Sequence, residues 1–224
     1  MDAIASKPGA HFEDPLSLLI RVKTRLYTLW LSATYPFAAK GRNLSIQYPC
    51  AISRRVAHQI KLGNSVIIRK DAWLNIVPNC SNELKIIIGD NSLIGALNVI
   101  SSKNFIQIED DVIIGTSVLI QDHHHAYENI SLPIRAQGVT PGGRIRIEQG
   151  CWIGKGAAII CNEGELIIGR NSVVGANSLV TRSFPPYSVI VGNPARLARQ
   201  FDPARGKWVG GGGTAQGMPS EPSV

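Results

Sequence analysis

The stretch IEDDVIIGTSVLI, residues 108–120, carries an isoleucine at every sixth position, namely Ile108, Ile114 and Ile120. A β-strand repeats its environment every two residues and an α-helix about every 3.6 residues. A period of six fits neither, so the chain must return to the same environment after each group of six. A triangular solenoid does this, because each hexad forms one flat side and Gly, Asn or Asp takes the turn.

The same period continues through much of the chain on both sides of this stretch. The aliphatic positions are Leu62, Ile68 and Leu74; Ile88, Ile94, Ile100 and Ile106; Ile147, Ile153 and Ile159; and Ile168, Val174 and Val180. Small or β-branched residues stand two places earlier, at Val66, Ala72, Ser92, Val112, Val118, Ala157, Ser172 and Ser178. Stacked coils of this kind form three parallel sheets around an aliphatic interior, so the repeat predicts an all-β parallel β-helix.

Five segments of the repeat carry a likeness to a known family. They are IEDDVIIG (108–115), VLIQDHHH (118–125), CWIGKGAAI (151–159), IIGRNSVVGANSLVTRS (167–183) and VGNPAR (191–196). Over roughly residues 60–200 the chain resembles the hexapeptide-repeat acyltransferases, and more closely their polysaccharide and sugar O-acetyltransferase branch. The resemblance implies a left-handed β-helix, a homotrimer with active sites between neighbouring subunits, and acetyl-CoA as the donor.

The repeat divides the chain into three predicted parts. Residues 1–59 form an N-terminal helical and extended region, and residues 60–200 form the β-helix domain with an inserted loop at 121–146. Residues 201–224 contain a run of glycines at 210–213 followed by small and polar residues. That composition has no core-forming pattern, which predicts a disordered tail.

An amphipathic helix is predicted over residues 14–35, with Asp14 as its cap and Pro15 at its first position. Its apolar face comprises Leu19, Val22, Leu26, Leu29 and Trp30, opposite Arg21, Arg25 and Thr28. We expect the apolar face to pack on the main domain; the alternative is a helix lying on a membrane surface. Charged residues interrupt the apolar stretch 16–31, so it is not a spanning segment.

The net charge of +7 is concentrated near the N-terminus. Residues 1–61 hold nine Lys/Arg against three Asp/Glu, which gives +6. No stacking-aromatic pattern or zinc-finger spacing accompanies this charge, so a nucleic-acid partner is not predicted. The four cysteines show no CxxC pairing and no secretory signal is evident, which predicts a reduced cytoplasmic protein, with the inner membrane face as the alternative for the basic helix.

The interruption after Ile120 opens with His123, His124 and His125. Acyl transfer to an alcohol needs a base, and neutral imidazole suits that task near neutral pH. The resemblance implies His125 as the catalytic base, with His123 as the second candidate. A solvated loop tip is the alternative. Consecutive histidines do not supply the separated ligands of a zinc enzyme on this scaffold, so no metal is predicted.

A carboxylate often orients such a base by accepting its other ring N–H. Asp110 is the leading candidate, with Asp111 beside it, because a solenoid can bring the corner of one coil next to the following coil. Asp is also an ordinary corner residue in such repeats, so a structural role is equally expected. Asp122 and Glu128 are weaker candidates.

The resemblance also implies a binding site for coenzyme A along the C-terminal coils. The matching positions are Trp152, Gly154, Gly175, Ala176, Thr181, Arg182, Asn193, Pro194 and Arg196. Arg182 or Arg196 would pair with phosphate oxygens. Turn geometry is the alternative explanation for the glycines, and solubility for the arginines.

Three functions remain open at this point. O-acetylation of a sugar or polysaccharide precursor is preferred, because of the His-bearing loop and the C-terminal segments. N-acylation of an amino sugar or small amine would use the same base. A non-catalytic solenoid scaffold would keep the hexads without needing the loop.

Overall fold

The chain forms a triangular solenoid of short parallel strands, closed at its N-terminal end by one helix. The computed structural model describes residues 15–78 and 82–210. Asp14, Cys80 and most of the predicted tail therefore lie outside the described residues. The helix α1 spans Pro15–Thr34, as the sequence predicts, and a 3-10 helix spans Arg54–Gln59.

Eighteen of the described strands make the three flat sides of the solenoid. The first sheet contains β1 (Ala39–Lys40), β4 (Ile60–Leu62), β7 (Ile86–Ile88), β10 (Phe105–Ile108), β13 (Arg144–Ile147) and β16 (Glu165–Ile168). The second sheet begins with β2 (Ser45–Ile46), β5 (Ile67–Ile68), β8 (Leu93–Ile94), β11 (Ile113–Ile114), β14 (Trp152–Ile153) and β17 (Val173–Val174). The third sheet contains β3 (Cys50–Ile52), β6 (Ala72–Ile76), β9 (Val99–Ser102), β12 (Leu119–Gln121), β15 (Ala158–Ile160) and β18 (Leu179–Val180).

The hexad residues stack in register from coil to coil. Ile108 pairs with Ile88 on one side and with Ile147 on the other, and Ile120 sits between Ile100 and Ile159 in the same way. These isoleucines are fully buried. Burial of one such side chain stabilises the fold by about 1.5–3 kcal/mol, so the repeated interior column holds the solenoid together. The predicted all-β parallel solenoid with an N-terminal helix is confirmed.

The solenoid extends beyond the predicted limits at both ends. Its first coil begins at Ala39, ahead of the expected boundary at residue 60, because β1 pairs with β4. At the other end β19 (Ser188–Gly192) joins the second sheet parallel to β17, and β20 (Ala195–Asp202) and β21 (Lys207–Gly210) extend it further through antiparallel pairs. Residues 201–210, which were predicted to belong to the disordered tail, therefore form strand structure. Their backbone groups pair between β20 and β21 at the edge of the second sheet.

Helix α1 packs by the side opposite to the one expected. Its buried residues are Thr28 and Leu31, whereas the predicted packing residues Leu19, Leu26 and Trp30 are exposed. The expectation that the apolar face packs on the main domain is therefore wrong. The reason is that β2 is an edge strand whose backbone is paired by the Thr28 hydroxyl. This hydroxyl accepts from Ile46 N at 2.8 Å, and its hydrogen is shared between Thr24 O at 2.8 Å and Ile46 O at 3.2 Å.

No helix within residues 15–78 and 82–210 is long and apolar enough to cross a membrane.

Candidate active site

The three histidines lie on a loop that leaves the solenoid after β12 and rejoins it at β13. The two ends of the loop run antiparallel: His125 bridges Val139, Thr140 N donates to His124 O at 2.8 Å, and Ala126 N donates to Gly138 O at 3.1 Å. A short helix α2 (Ile134–Gln137) lies at its tip. The loop is thus a paired ribbon held above a rigid coil, an arrangement common for catalytic groups.

Asp122 anchors the base of this ribbon. Its carboxylate is fully buried. It accepts hydrogen bonds from Lys103 N (2.7 Å), Asn104 N (2.9 Å), Phe105 N (2.9 Å), Ser102 Oγ (2.9 Å) and His123 Nδ1 (2.9 Å). Burial raises the pKa of Asp122, but the hydrogen bonds from His123, Lys103, Asn104 and Ser102 outweigh that effect and lower the pKa below its ordinary value.

The three histidines have different surroundings. His123 is 6% exposed and hydrogen-bonded to Asp122, so its ring is fixed at the base of the loop. The ring of His124 lies 5.6 Å from that of Tyr127, and its buried Nδ1 has no hydrogen-bond partner in the described part of the chain. His125 is exposed. Of the two predicted catalytic histidines, His125 is therefore the one open to an incoming acceptor.

Asp110 does not lie beside His125 within one chain. It occupies the corner between the first and second sheets, whereas the histidine loop leaves the corner between the third and first sheets. The Asp110 carboxylate accepts a hydrogen bond from Asp90 N at 2.7 Å in the preceding coil. The expectation that Asp110 orients the base is therefore wrong for the single subunit, and Asp110 instead ties consecutive coils together. Asp122, the weaker candidate, contacts a histidine, but the one it contacts is His123.

Three of the predicted coenzyme A positions form a column at the corner between the second and third sheets. A Cβ on Gly154 would lie 2.6 Å from Ala176 N, and a Cβ on Gly175 would lie 2.9 Å from the Val191 side chain. Backbone of one coil thus approaches the next too closely for a side chain at Gly154. This accounts for that glycine by packing alone, as the turn-geometry alternative expects.

The other predicted coenzyme A positions are exposed and lie at four places in the fold. Asn193 and Pro194, joined by a cis peptide bond, form the turn between β19 and β20. Thr181 and Arg182 follow β18, so they share the corner of the histidine loop two coils further on. Trp152, 53% exposed, points outward from the second sheet, and Arg196 is exposed on β20.

A cavity of about 290 Å³ lies beside the returning end of the loop, a feature that the sequence did not indicate. Its walls include Lys85, Asn104, Gly142 and Arg144. Lys85 is almost buried and lies 3.6 Å from Glu83. Lys85 precedes a strand and belongs to no hexad signature, so only the stacking of coils identifies it as a cavity residue.

The described residues contain no group of three or more His, Cys, Asp or Glu side chains arranged to hold a metal ion. The buried thiols also do not suit catalysis. Burial raises the pKa of Cys50 to about 12. Burial and the nearby carboxylates of Glu148 and Glu109 raise the pKa of Cys151 to about 11, although backbone hydrogen bonds partly oppose them.

Comparison with known proteins supports the solenoid assignment. A family model described as "hexapeptide repeat of succinyl-transferase" matches residues 85–120, 144–182 and 165–198. Together with the three-sheet architecture, this match confirms the predicted left-handed β-helix.

Two named relatives and one solved structure are informative. The "Putative lipopolysaccharide biosynthesis O-acetyl transferase WbbJ" of Escherichia coli is 30% identical over 173 residues, which cover 73% of this chain and 82% of that protein. A "probable acetyltransferase" of Mycobacterium tuberculosis is 32% identical, but the match covers 53% of this chain and only 38% of that protein. The crystal structure of a mutant of AntD, an N-acyltransferase from Bacillus cereus in complex with dTDP and coenzyme A, aligns with a TM-score of 0.63 at 22% identity, covering 80% of this chain and 90% of that one.

Proposed function

Because the chain belongs to the hexapeptide-repeat acetyltransferase family, we propose that it transfers an acetyl group from acetyl-CoA to a hydroxyl of a sugar or polysaccharide precursor. The observation that carries this proposal is the likeness to WbbJ, which extends over 73% of this chain and includes the histidine loop within the solenoid. The name of that relative specifies O-acetyl transfer. As part of the proposal, we extend the acceptor class given in that name to this chain.

We place the donor along the C-terminal coils. Coenzyme A is an elongated polyanion with an apolar arm, and exposed Trp152 offers an apolar surface of matching kind. Arg182 and Arg196 are both exposed cations, and a guanidinium pairs well with phosphate oxygens. Ala176 is exposed at the corner between the second and third sheets, and its small side chain would let the arm lie close to the backbone.

The proposed reaction uses neutral His125 as the general base. Its ring nitrogen takes the proton of the acceptor hydroxyl while the oxygen attacks the thioester carbonyl, forming a tetrahedral oxyanion. A backbone N–H donor stabilises that oxyanion. Collapse of the intermediate breaks the carbon–sulfur bond, coenzyme A leaves as the thiolate, and the imidazolium returns the proton to the sulfur. The products are the acetyl ester and free coenzyme A.

We further propose that the site is completed by a neighbouring subunit of a homotrimer. In residues 15–78 and 82–210, no side chain hydrogen-bonds to the ring of His125, so the described part of the chain supplies no orienting group. A base without an orienting partner lacks a fixed tautomer and direction. A second subunit facing the third–first corner would supply the missing acceptor for the other ring N–H.

N-acylation is the second candidate function. The observation that favours it is the fold shared with AntD, which is an N-acyltransferase. An amine nucleophile would lose its proton to the same His125, so the histidine loop serves both reactions. A scaffold without activity is disfavoured, because such a protein has no need for a buried Asp122 that fixes a ribbon carrying three histidines.

The test is release of free thiol from acetyl-CoA in the presence of a panel of sugars, glycan fragments and amino sugars. We expect turnover with hydroxyl acceptors, and a fall in kcat of about a hundredfold or more in His125→Ala. Coenzyme A binding and thermal unfolding should stay unchanged in that variant, because the side chain is exposed. His58→Ala, in the 3-10 helix between β3 and β4 of the solenoid, is the matched control.

The outcomes separate the candidates. Turnover confined to amine acceptors would favour N-acylation. Loss of activity in His123→Ala with full activity in His125→Ala would move the base to His123. A parent protein that neither binds coenzyme A nor releases thiol would leave only the scaffold.

A further inference from the structure

Helix α1 is attached to the solenoid by the side that carries Thr28 and Leu31. It touches each strand of the first coil: Thr28 pairs with Ile46, the Tyr27 hydroxyl donates to Cys50 O at 3.0 Å, and Ser32 O accepts from the side chain of Lys40. The helix therefore lies across the open N-terminal end of the solenoid. Its opposite side points away from the protein body.

That outward side is apolar over several turns. Leu19 and Leu26 are each 63% exposed and Trp30 is 52% exposed. With Val22 and Leu29 they recur at the three- and four-residue spacing of one helix face. Tyr48 borders the same face and closes an apolar depression of about 490 Å³ against it. A continuous exposed surface of this kind marks a contact site rather than scattered surface residues.

The charges around this face are all positive. Residues 15–34 contain Arg21, Lys23 and Arg25 and no acidic residue. On the helix, Arg25 lies on one flank of the apolar face and Lys23 on the other, where its ammonium sits 4.2 Å from the centre of the Tyr48 ring. The wider region of residues 1–61 carries +6. The surface is thus apolar at its centre and cationic at its edges.

We propose that α1 docks the protein on an anionic lipid surface, with its apolar face among the acyl chains and Lys23 and Arg25 among the phosphate headgroups. A helix with an apolar face and basic flanks lies in the plane of such an interface. A second copy of the same face fits less well, because face-to-face pairing would bring like cations together without acidic partners. A negatively charged bilayer surface supplies the missing counter-charge.

Attachment of α1 through Thr28 also sets the height of the histidine loop above the proposed membrane surface. The use of that height for catalysis rests on the proposed function. The histidine loop follows β12, three strand spacings beyond β3 of the first coil. At about 4.8 Å per spacing, the loop stands roughly 14 Å above the end that α1 closes. A glycan carried on a lipid anchor in the same surface reaches that height with its first few sugars.

The experiment measures co-sedimentation of the full chain with phosphatidylcholine vesicles that contain or lack phosphatidylglycerol. We expect binding to the anionic vesicles only, weakened by added salt. The double variant Leu19→Ser/Leu26→Ser should bind about a hundredfold more weakly, and Lys23→Gln about fivefold more weakly. Leu97→Ser, which removes an equally exposed leucine from a solenoid corner, and Lys207→Gln at the opposite end should bind like the parent.

Three results would overturn the proposal. One is a parent protein that binds neither vesicle type. Another is unchanged binding of the Leu19→Ser/Leu26→Ser variant, with helicity by circular dichroism confirming that α1 is intact. The third is a drop in particle mass of that variant without any vesicle binding by the parent, which would assign the face to self-association. Thiol release measured on a soluble acceptor is independent of all three, so failure here leaves the proposed reaction untouched.

Discussion

Single residues decide how the histidine loop is held. Asp122 accepts five hydrogen bonds while fully buried, three of them from the consecutive backbone N–H groups of Lys103, Asn104 and Phe105. The fourth and fifth partners are Ser102 and His123. A buried carboxylate is costly unless its oxygens are paired, and here both are. The same carboxylate that fixes the loop also withdraws His123 from solvent, which leaves His125 as the open ring.

Replacement of Asp122 by Asn should lower the free energy of unfolding by about 3 kcal/mol at neutral pH, because an amide NH₂ faces backbone donors. The lowered folded-state pKa means that the ionised group stabilises the native state above its unfolded pKa of about 3.9. That contribution is lost as the pH falls through the folded-state pKa. Denaturant unfolding at several pH values measures it, and the gap between parent and variant should close in acid.

Asp71→Asn is the matched control for this change. Asp71 is exposed and has φ +61°, a conformation that Asn tolerates well. An equal loss of stability in both variants would show that the effect is one of net charge and not of the hydrogen bonds to Asp122.

At the level of elements, the junction between α1 and β2 explains why the helix is turned with its apolar side out. An edge strand leaves backbone groups unpaired, and a hydroxyl can donate and accept at once. Thr28 does both for Ile46 and buries little apolar area. Leu19, Leu26 and Trp30, on the outward side of α1, therefore remain exposed for a contact outside the chain.

Substitution of Thr28 by Val keeps the shape of the side chain and removes the hydroxyl. Ile46 N–H and C=O would then be buried without that partner, and we expect a loss of about 1–3 kcal/mol in unfolding free energy. Thr34→Val is the control, since the Thr34 hydroxyl bonds only to Trp30 O in its own helix and the change should stay within about 0.5 kcal/mol. Equal stability of Thr28→Val and the parent in thermal or urea unfolding would contradict the edge-strand role.

At the level of the whole molecule, the outward faces of the solenoid suggest where subunits meet. Ile113 and Trp152 are register partners on the second sheet, and both are about half exposed. A flat apolar pair of this kind suits burial against another rigid solenoid. Within the described ranges no side chain hydrogen-bonds to the ring of His125, which gives a second reason to expect a neighbouring subunit.

The full chain should sediment at about three times its mass of 24.2 kDa, and Ile113→Glu should reduce that mass by placing a charge in the contact. Thiol release should fall with it, because the active site is proposed to lie between subunits. Ile130→Glu is the control, since Ile130 is 99% exposed on the loop. Sedimentation equilibrium decides the matter, and a parent of single-chain mass would rule out the shared site.

The solenoid could be predicted from the hexads alone, because each hexad specifies its own environment: Ile108, Ile114 and Ile120 repeat within thirteen residues, and the stacked coils repeat that local pattern. Local capping and periodicity likewise predict helix α1 within one residue at each end. The packed side of α1, the exposed histidine and the corner occupied by Asp110 could not be predicted in this way. Those outcomes depend on partners far apart in the chain, Thr28 with Ile46 and Asp122 with Lys103, and a hydrogen bond between distant residues leaves no periodic trace in either segment.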